Sequence, residues 1–395
     1  MKEKHIILRA PAQSTRDIFL GPSFGAAAAA PGADIRVEID EIDRSKVAAV
    51  TKHSDVVAAA PVMPMKLIAP RDVQAVGAQP AATEVAWGVK AVGADTSPFT
   101  GVGVVIAVLD TGIDKTHPAF AGVQITEKDF TGEGNGDNHG HGTHCAGTIF
   151  GRTTASRRIG VAPGVTQALI GKVLGAEGGG SDTIANAIQW AVESGANVIS
   201  MSLGIDFPGF VKYMQEVQHF PPELATTRAL EGYRANVQLF ERLAALIRAR
   251  AAFGQPTVIV AAAGNESERD VNPDFEIAVS PPAVSEGIIS VAALGQSPGG
   301  FVVAPFSNTG ANVSGPGVGV ISAKPGGGFQ SMSGTSMATP HVAGVSALWA
   351  EKIQSVGGLS VLQLTGRLIG SATTDGLMAG FDPFDIGAGL VRAPQ

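Results

Sequence analysis

Five nearly continuous apolar runs, separated by stretches with helical spacing, constrain the fold of this chain more than any other feature. A run of this kind indicates a strand that is buried on both faces of a parallel sheet. Strands that alternate with helices predict an α/β domain in which helices cover both faces of that sheet. The five runs are residues 102–109, 168–174, 197–203, 257–262 and 288–292.

Two polar residues stand where these runs end. Asp110 directly follows the first run, and Asn265 lies shortly beyond the fourth. In open parallel sheets, binding sites lie outside the carboxyl ends of the strands. The pattern therefore predicts a site that contains both side chains at one edge of the sheet.

The composition fits a large enzyme with a buried core. The 395 residues are 45% hydrophobic and 16% charged, which excludes a disordered chain. The net charge of −7 and the absence of a basic run argue against a nucleic-acid partner. Cys145 is the single cysteine, so no intrachain disulfide can form.

The chain also lacks the apolar stretch of about 18 residues that a membrane span requires. Its first residues have no signal-peptide core, so we expect a cytoplasmic location. A secreted chain whose signal peptide had been removed would look the same.

Three short segments supply a carboxylate, an imidazole and a hydroxyl, each among small residues. They are VLDTG with Asp110, HGTH with His141, and GTSMATP with Ser336. A serine hydroxyl becomes a nucleophile when an imidazole takes its proton and a carboxylate orients that imidazole. Ser336 opens a predicted helix, whose N–H groups and dipole favour negative charge. Pro340 is expected in the first turn of that helix, where its missing N–H has no acceptor.

Each of these residues also has a plain structural interpretation. Asp110 could cap a turn, and Ser336 could be a helix N-cap. His139, His141 and His144 have a spacing that fits metal ligands. A metal site would leave Asp110 and Ser336 unexplained, so we favour His141 as the base and His144 as a structural residue.

In this order the three segments resemble the signatures of subtilisin-like serine proteases, the subtilase family. The resemblance covers most of 85–394 and implies a parallel-sheet, three-layer catalytic domain with Asp110, His141 and Ser336 as catalytic residues. It also implies that Asn265 donates its side-chain amide to the oxyanion. In the family, two backbone edges bind the substrate as an added strand. The residues that resemble these edges are Leu174, Gly178, Gly179, Ser202, Leu203 and Gly204.

A strand–helix–strand pattern precedes this domain, with strand material at 35–39 and 56–60 and a helix-like start at 43–45. A small α+β unit in this position resembles the family's propeptide, which assists folding and inhibits the enzyme. The alternative is an accessory domain that is never removed. The predicted units are an extension or linker at 1–34, a propeptide-like domain at 35–70, a linker with the cleavage region at 71–84, and the peptidase domain at 85–395.

Two stretches depart from the family's pattern. Ala119 stands where secreted members carry an aspartate calcium ligand, and the loop 152–158 is cationic. We therefore expect this strong calcium site to be absent, although a weaker calcium site elsewhere stays open. The segment 205–236 reads as an insertion with several aromatic residues. It fits a satellite core of the domain, a flap over the cleft, or a contact surface for another subunit.

The sequence thus predicts a serine endopeptidase that works through an acyl-enzyme and requires no cofactor. Its partners would be polypeptide substrates and its own N-terminal segment as inhibitor, with neither nucleic acid nor membrane. One alternative is a peptide ligase or macrocyclase, in which an amine intercepts the acyl-enzyme. Another is a non-catalytic peptide-binding protein that keeps the fold.

Overall fold

The computed structural model describes residues 2–10, 35–72, 85–251 and 254–395. Most of the predicted linkers at 1–34 and 71–84 lie outside these residues. The strands are β1 (Lys2–Arg9), β2 (Arg36–Asp43), β3 (Val56–Pro61), β4 (Pro64–Leu67), β5 (Val105–Asp110), β6 (Gln124–Asp129), β7 (Gln167–Lys172), β8 (Gly179–Gly180), β9 (Val198–Met201), β10 (Leu203–Ile205), β11 (Val258–Ala262), β12 (Ile288–Ser297), β13 (Gly300–Val303), β14 (Val313–Pro316), β15 (Val320–Ala323) and β16 (Phe329–Met332). The helices are α1 (Arg44–Val50), α2 (Trp87–Ala91), α3 (His141–Phe150), α4 (Ser181–Glu193), α5 (Phe207–Glu216), α6 (Pro222–Arg250), α7 (Thr335–Val356), α8 (Val361–Gly370) and α9 (Pro383–Ile386), with a 3-10 helix at Pro118–Phe120.

An antiparallel sheet in the order β2–β1–β3 forms the N-terminal part of the described chain. Helix α1 follows β2, and its N-cap Asp43 accepts a hydrogen bond from the Ser45 N–H at 3.1 Å. The predicted strand–helix–strand pattern is therefore confirmed for residues 36–61. We refer to residues 2–10 and 35–61 as the N-terminal domain.

Strand β1 differs from the expectation of an N-terminal extension, because it is the central strand of this sheet. Ile6 lies opposite Ile39 of β2 and Ala60 of β3. Ile6 and Leu8 are buried. In the sequence, these few apolar residues among charged ones cannot be distinguished from a polar tail. Their burial depends on partner strands that lie far away along the chain.

The predicted apolar runs form the central sheet, with the strand order β13–β12–β11–β9–β5–β7–β6 and β14 beside β12. Every described neighbour pair in it is parallel except β12 with β13. The carboxyl ends of β5, β7, β9 and β11 therefore meet at one edge. This edge carries Asp110 at the end of β5.

Helices cover both faces of the central sheet, as expected for a three-layer α/β domain. Ile106 and Val108 of β5 pack with residues of α3 and α7 in one core. Ala107 and Leu109 point the other way and pack with residues of α4 and α6 in a second core. This second core also contains Ile6 of β1, so the N-terminal domain packs on the α4 and α6 side. The predicted fold class is confirmed.

The predicted insertion at 205–236 contains α5 and the first half of α6, a helix of 29 residues. Met214 of α5 packs against Ala225 and Ala229 of α6 in a small separate cluster. Such a cluster is what the satellite-core interpretation predicts. In the described part of the chain, no helix, α6 included, is long and apolar enough to cross a membrane.

Candidate active site

Asp110 and His141 form a buried hydrogen-bonded pair at the carboxyl edge of the sheet. His141 Nδ1 lies 2.8 Å from Asp110 Oδ1. Asp110 is the last residue of β5 and His141 the first of α3, and both are at most 1% exposed. The end of the strand and the start of the helix thus place the carboxylate and the imidazole next to each other.

Glycines explain how these two segments come so close. A Cβ added at Gly142 would lie 2.2 Å from the carbonyl oxygen of Gly112. Any larger residue at position 142 would therefore push α3 away from the turn that follows Asp110. The Thr111 side chain accepts the Gly142 N–H at 3.0 Å and joins the same two segments.

The electrostatics of the pair favour a charged imidazole. Burial opposes the imidazolium, but the Asp110 carboxylate outweighs this effect and raises the pKa of His141 well above its usual value of 6.5. The other ring nitrogen, His141 Nε2, is buried without a hydrogen-bond partner among the described residues. In the neutral form of the ring, whose Nδ1–H faces Asp110, Nε2 is therefore a free proton acceptor on the side away from Asp110.

Ser336 is the second residue of α7, as expected for a residue at a helix N-terminus. Its Oγ donates a hydrogen bond to the carbonyl of Ile68 at 2.8 Å. Cys145 contacts both residues, since its Sγ is 3.7 Å from His141 Nδ1 and 3.4 Å from the Ser336 backbone carbonyl oxygen. The structure thus connects the Asp110–His141 pair with the start of α7, while the Ser336 hydroxyl is hydrogen-bonded to Ile68.

Asn265 lies beyond the end of β11, and its amide is fixed in orientation. Its Oδ1 accepts hydrogen bonds from the Thr335 N–H and the Thr335 hydroxyl, both at 2.9 Å. Its Nδ2 consequently faces the cleft, where it donates to the Ala69 carbonyl at 2.8 Å. Thr335, which sequence reasoning did not single out, positions this donor.

The cleft holds a segment of the same chain as a strand. Strand β4 runs antiparallel to β10, with Lys66 opposite Gly204 and Leu67 opposite Leu203. On its other side β4 pairs with β8, with Met65 opposite Gly179. The Ile68 N–H donates to the Ser202 carbonyl at 3.3 Å. Backbone hydrogen bonds and pairing thus join this segment to edges formed by residues 178–180 and 202–204.

Gly178 and Leu174 were both predicted to line one edge of the cleft, but only Gly178 lies against β4. A Cβ at Gly178, whose φ is +84°, would lie 2.7 Å from the Met65 carbonyl oxygen, so the close approach of β4 requires glycine there. The N–H of Leu174 instead lies 3.3 Å from the Asp110 carbonyl oxygen, to which it donates. Leu174 is buried at the base of the edge and does not pair with β4.

Pro340 lies inside α7, so the expectation that it occupies the first turn is wrong. Helix α7 begins at Thr335, and a residue with an N–H at position 340 would donate to the Ser336 carbonyl. That carbonyl instead accepts contacts from Cys145 Sγ and from Ser202 Oγ, both at 3.4 Å. The proline therefore leaves free a carbonyl that connects α7 with α3 and with Ser202, the residue between β9 and β10.

Asp137 organises the loop before His141, and sequence reasoning missed it. Its Oδ1 accepts from the Thr111 hydroxyl at 2.9 Å and from the Gly140 N–H at 2.8 Å. Its Oδ2 accepts from the N–H and hydroxyl of Thr143, at 2.9 and 2.6 Å. One carboxylate thus connects the residue after Asp110 with the first turn of the helix that carries His141. In the sequence, the only sign of this role would have been an acidic residue four positions before His141.

The two neighbouring histidines have separate environments. His139 is exposed, and its ring makes an edge contact with His141. His144 is buried, its Nε2 lies 3.0 Å from the Val320 carbonyl oxygen, and burial lowers its pKa to about 3. His144 is therefore a neutral residue that holds α3 against β15, as its structural interpretation predicts.

The chain is similar to a known family and to several of its members. The model of the subtilase family, Peptidase_S8, matches residues 101–389. The chain is 36% identical over 317 residues to alkaline elastase YaB of a Bacillus species (strain YaB), covering 78% of this chain and 69% of that protein. It is 32% identical over 321 residues to subtilisin DY of Bacillus licheniformis, covering 79% of this chain and 98% of that protein.

A solved structure shows the same fold at lower identity. The structure of fervidolysin from Fervidobacterium pennivorans, described as a keratinolytic enzyme related to subtilisin, superposes with a TM-score of 0.66 and 23% identity. The match covers 99% of this chain and 60% of the fervidolysin chain. The likeness therefore extends over the N-terminal domain as well as the central sheet.

Replacing Asp137 by Asn is expected to lower the turnover number of a reaction that uses His141, by up to about 100-fold, because the imidazole would lose its fixed position. An Asn amide group would face the Thr143 donors instead of accepting from them. The Michaelis constant should change little, because Asp137 does not contact the edges that pair with β4. Steady-state kinetics on a chromogenic peptide would measure both constants.

Asp129→Asn is the matched control, because Asp129 caps a similar loop and accepts from the Thr131 N–H and hydroxyl at 2.8 and 2.7 Å. Equal losses of turnover in the two variants would contradict a positioning role for Asp137.

Proposed function

The chain belongs to the subtilase family and is a subtilisin-like serine endopeptidase, and we propose that Ser336, His141 and Asp110 carry out its reaction. The observation that supports these roles is the buried Asp110–His141 pair at 2.8 Å, with Ser336 on the adjoining helix N-terminus. Polypeptides are the substrates that the family implies.

In the proposed reaction, Ser336 Oγ attacks the carbonyl carbon of the peptide bond while His141 Nε2 takes the hydroxyl proton. The C–N bond then breaks, and His141 returns that proton to the leaving amine. Water next attacks the carbonyl carbon of the acyl-enzyme while His141 takes one of its protons. The ester bond to Ser336 then breaks, and His141 returns the proton to Ser336 Oγ, which restores the free hydroxyl. Asp110 holds the imidazole orientation and stabilises its charged form throughout.

The negative oxygen of each tetrahedral intermediate would lie against two donors. One is Asn265 Nδ2, which Thr335 holds toward the cleft. The other is the Ser336 N–H in the first turn of α7, where backbone donors have no intrahelical acceptor. Donors fixed in advance stabilise the developing charge because they do not have to reorient during the reaction.

We further propose that the N-terminal domain and β4 inhibit the enzyme. The two reactive groups contact successive carbonyls: Ser336 Oγ donates to Ile68, and Asn265 Nδ2 donates to Ala69. Attack requires a single carbonyl that offers its carbon to Oγ and its oxygen to Asn265. The Ser336 hydroxyl is hydrogen-bonded to the Ile68 carbonyl and not to the carbonyl that Asn265 holds. In the proposed inhibition, the segment therefore fills the cleft with the nucleophile engaged on a neighbouring carbonyl.

The contacts of Arg71, which follows Ile68 and Ala69 in the chain, support the same proposal. The Arg71 N–H donates to the Ser333 carbonyl at 2.8 Å, and the Arg71 guanidinium donates to the Asn265 carbonyl through Nε at 2.9 Å and a terminal nitrogen at 2.5 Å. The segment is therefore held on both sides of Ser336. The predicted cleavage region beyond residue 72 lies outside the described residues.

The residues at the position of the family's strong calcium site do not fit this ion. Calcium takes about six to eight oxygen ligands. Ala119 offers no side-chain ligand, and its carbonyl accepts the Arg152 N–H at 2.7 Å. The Arg158 guanidinium donates to the carbonyls of Ala94 and Val161 at 2.9 and 3.3 Å. A backbone N–H and a guanidinium thus bind carbonyl oxygens in this region, and we propose that calcium does not bind there.

Ser336→Ala is expected to lower the turnover number by at least about 10⁴-fold, because the nucleophile is lost. His141→Ala should cause a similar loss, and the double variant should be no worse than either single variant, since the residues act as a unit. Hydrolysis of a fluorogenic peptide, after removal of the N-terminal domain, measures this. Losses that add up in the double variant would contradict the triad.

The activity should fall as the pH is lowered through a value above 6.5, because only neutral His141 can take the Ser336 proton and its pKa is raised well above 6.5. Below that pKa, kcat/KM should drop about tenfold per pH unit. The kcat/KM profile measures this, with circular dichroism at each pH as the control for folding. An acid limb at or below pH 6.5 would contradict the prediction.

A chelator is expected to change the melting temperature of the Ser336→Ala protein by less than about 2 °C, because removal of a strongly bound ion would cost several degrees. Differential scanning calorimetry with EDTA measures the shift, and EDTA saturated with calcium is the control. A larger shift that calcium reverses would show that another calcium site stabilises the protein.

A further inference from the structure

We propose that the insertion at 205–236 is a docking surface for the chain's own N-terminal domain, which it holds in place over the cleft. This inference rests on the proposed self-inhibition. A buried hydrogen bond, a close approach at a glycine and a set of ion pairs join the insertion to the N-terminal domain and to the residues that follow β3.

The first is a buried hydrogen bond from the middle of α6. Asn236 is fully buried, and its Nδ2 donates to the carbonyl of Pro61, the last residue of β3, at 2.8 Å. The same Nδ2 donates to the Gly232 carbonyl one turn earlier, at 2.9 Å. A buried amide that donates to another segment specifies where that segment docks, because misplacement would leave the donor unsatisfied.

The second is a close approach that glycine permits. A Cβ added at Gly232 would lie 3.1 Å from Met63 Sδ and 3.4 Å from Pro61 Cγ. Glycine is a poor helix former, yet it stands in the interior of a 29-residue helix. The contact with the segment that joins β3 to β4 accounts for it, since a larger side chain would separate the two.

The third is a set of ion pairs around this contact. Arg44 of α1 pairs with Glu231 at 2.5 Å, and Glu3 of β1 pairs with Arg228 at 3.8 Å. These side chains are partly exposed, so they orient the N-terminal domain more than they add to its affinity.

One further pair connects the insertion with the strand in the cleft. Lys66 of β4 lies 3.1 Å from Asp206, and Asp206 also accepts the Gly209 N–H at 3.3 Å as the N-cap of α5. The insertion thus contacts both the domain and the strand that fills the site. Release of one should therefore loosen the other.

The length of α6 is what makes this surface. Its first part packs against α5 through Ala225 and Ala229, and its last part, including Phe240, lies in the second core. Gly232 and Asn236 lie in the middle of the helix, between these two parts, and both contact Pro61 of the N-terminal domain. Because both ends of the helix are anchored in the catalytic part, the docking residues have a rigid support.

The test uses the full chain carrying Ser336→Ala, so that proteolysis cannot intervene. Gly232→Leu should increase the rate of deuterium exchange in residues 62–71 at least tenfold, because the added side chain separates α6 from Pro61 and Met63. Gly366→Leu is the matched control, since Gly366 is an exposed helical glycine with no neighbouring atom within 4 Å of an added Cβ. It should exchange like the parent.

Asn236→Asp is a second variant that does not depend on added bulk, because a carboxylate cannot donate to the Pro61 carbonyl. It should also increase the exchange of 62–71. If both folded variants exchange like the parent, the docking surface is wrong. If Gly232→Leu does not fold, Asn236→Asp alone decides by the same criterion.

The same substitutions on the Ser336 chain separate this inference from the proposed function. Gly232→Leu should raise the initial rate of peptide hydrolysis of the unprocessed chain at least threefold over Gly366→Leu. Faster exchange without any hydrolysis in the chain with Ser336 would support the docking surface and contradict the proposed reaction. Hydrolysis that is equal in all variants, together with unchanged exchange, would overturn the docking surface and leave the reaction standing.

Discussion

The close backbone contact between the end of β5 and the start of α3 is the constraint on which the site depends. It exists because Gly142 has no side chain to meet the Gly112 carbonyl. The contact brings Asp110 and His141 into a hydrogen bond from which water is excluded, and Asp137 holds the loop that closes around them. A charged group could not stay buried there without its partner, so the pair and the packing require each other.

The backbone edges of the cleft pair with β4, and in the proposed function they would pair with a substrate in the same way. The edges 178–180 and 202–204 offer unpaired hydrogen-bonding groups, as the edge of any sheet does. Any extended chain can pair with them, whatever its sequence, and β4 of the same chain does so here. In the proposed reaction, cleavage requires one carbonyl that meets both Ser336 and Asn265. In the segment that directly follows β4, the two hydrogen bonds go to different carbonyls, those of Ile68 and Ala69.

Pro340 is tolerated in α7 as expected, but the expected reason, a position in the first turn of the helix, is wrong. A proline near the start of α7 was expected to be harmless, but it stands where it removes a hydrogen bond from the Ser336 carbonyl. Cys145 and Ser202 contact that carbonyl instead. The loss within the helix is therefore compensated by contacts from two other elements, which fix the orientation of the helix that carries Ser336.

The sequence by itself determined the α/β class, the strand ends near Asp110 and Asn265, and the helix starts at His141 and beside Ser336. These features follow from apolar periodicity and from residues with strong local preferences, so they can be read without knowing any neighbours. The glycines of the cleft were identified through the resemblance of their segments to the subtilase family. Only the tertiary structure decided that Lys2–Arg9 is a central strand, that Asp137 and Thr335 orient the reactive groups, and that α6 supports the N-terminal domain. Each of these depends on contacts between residues far apart in the chain, and a hydrogen-bonding side chain has no periodicity that identifies its distant partner.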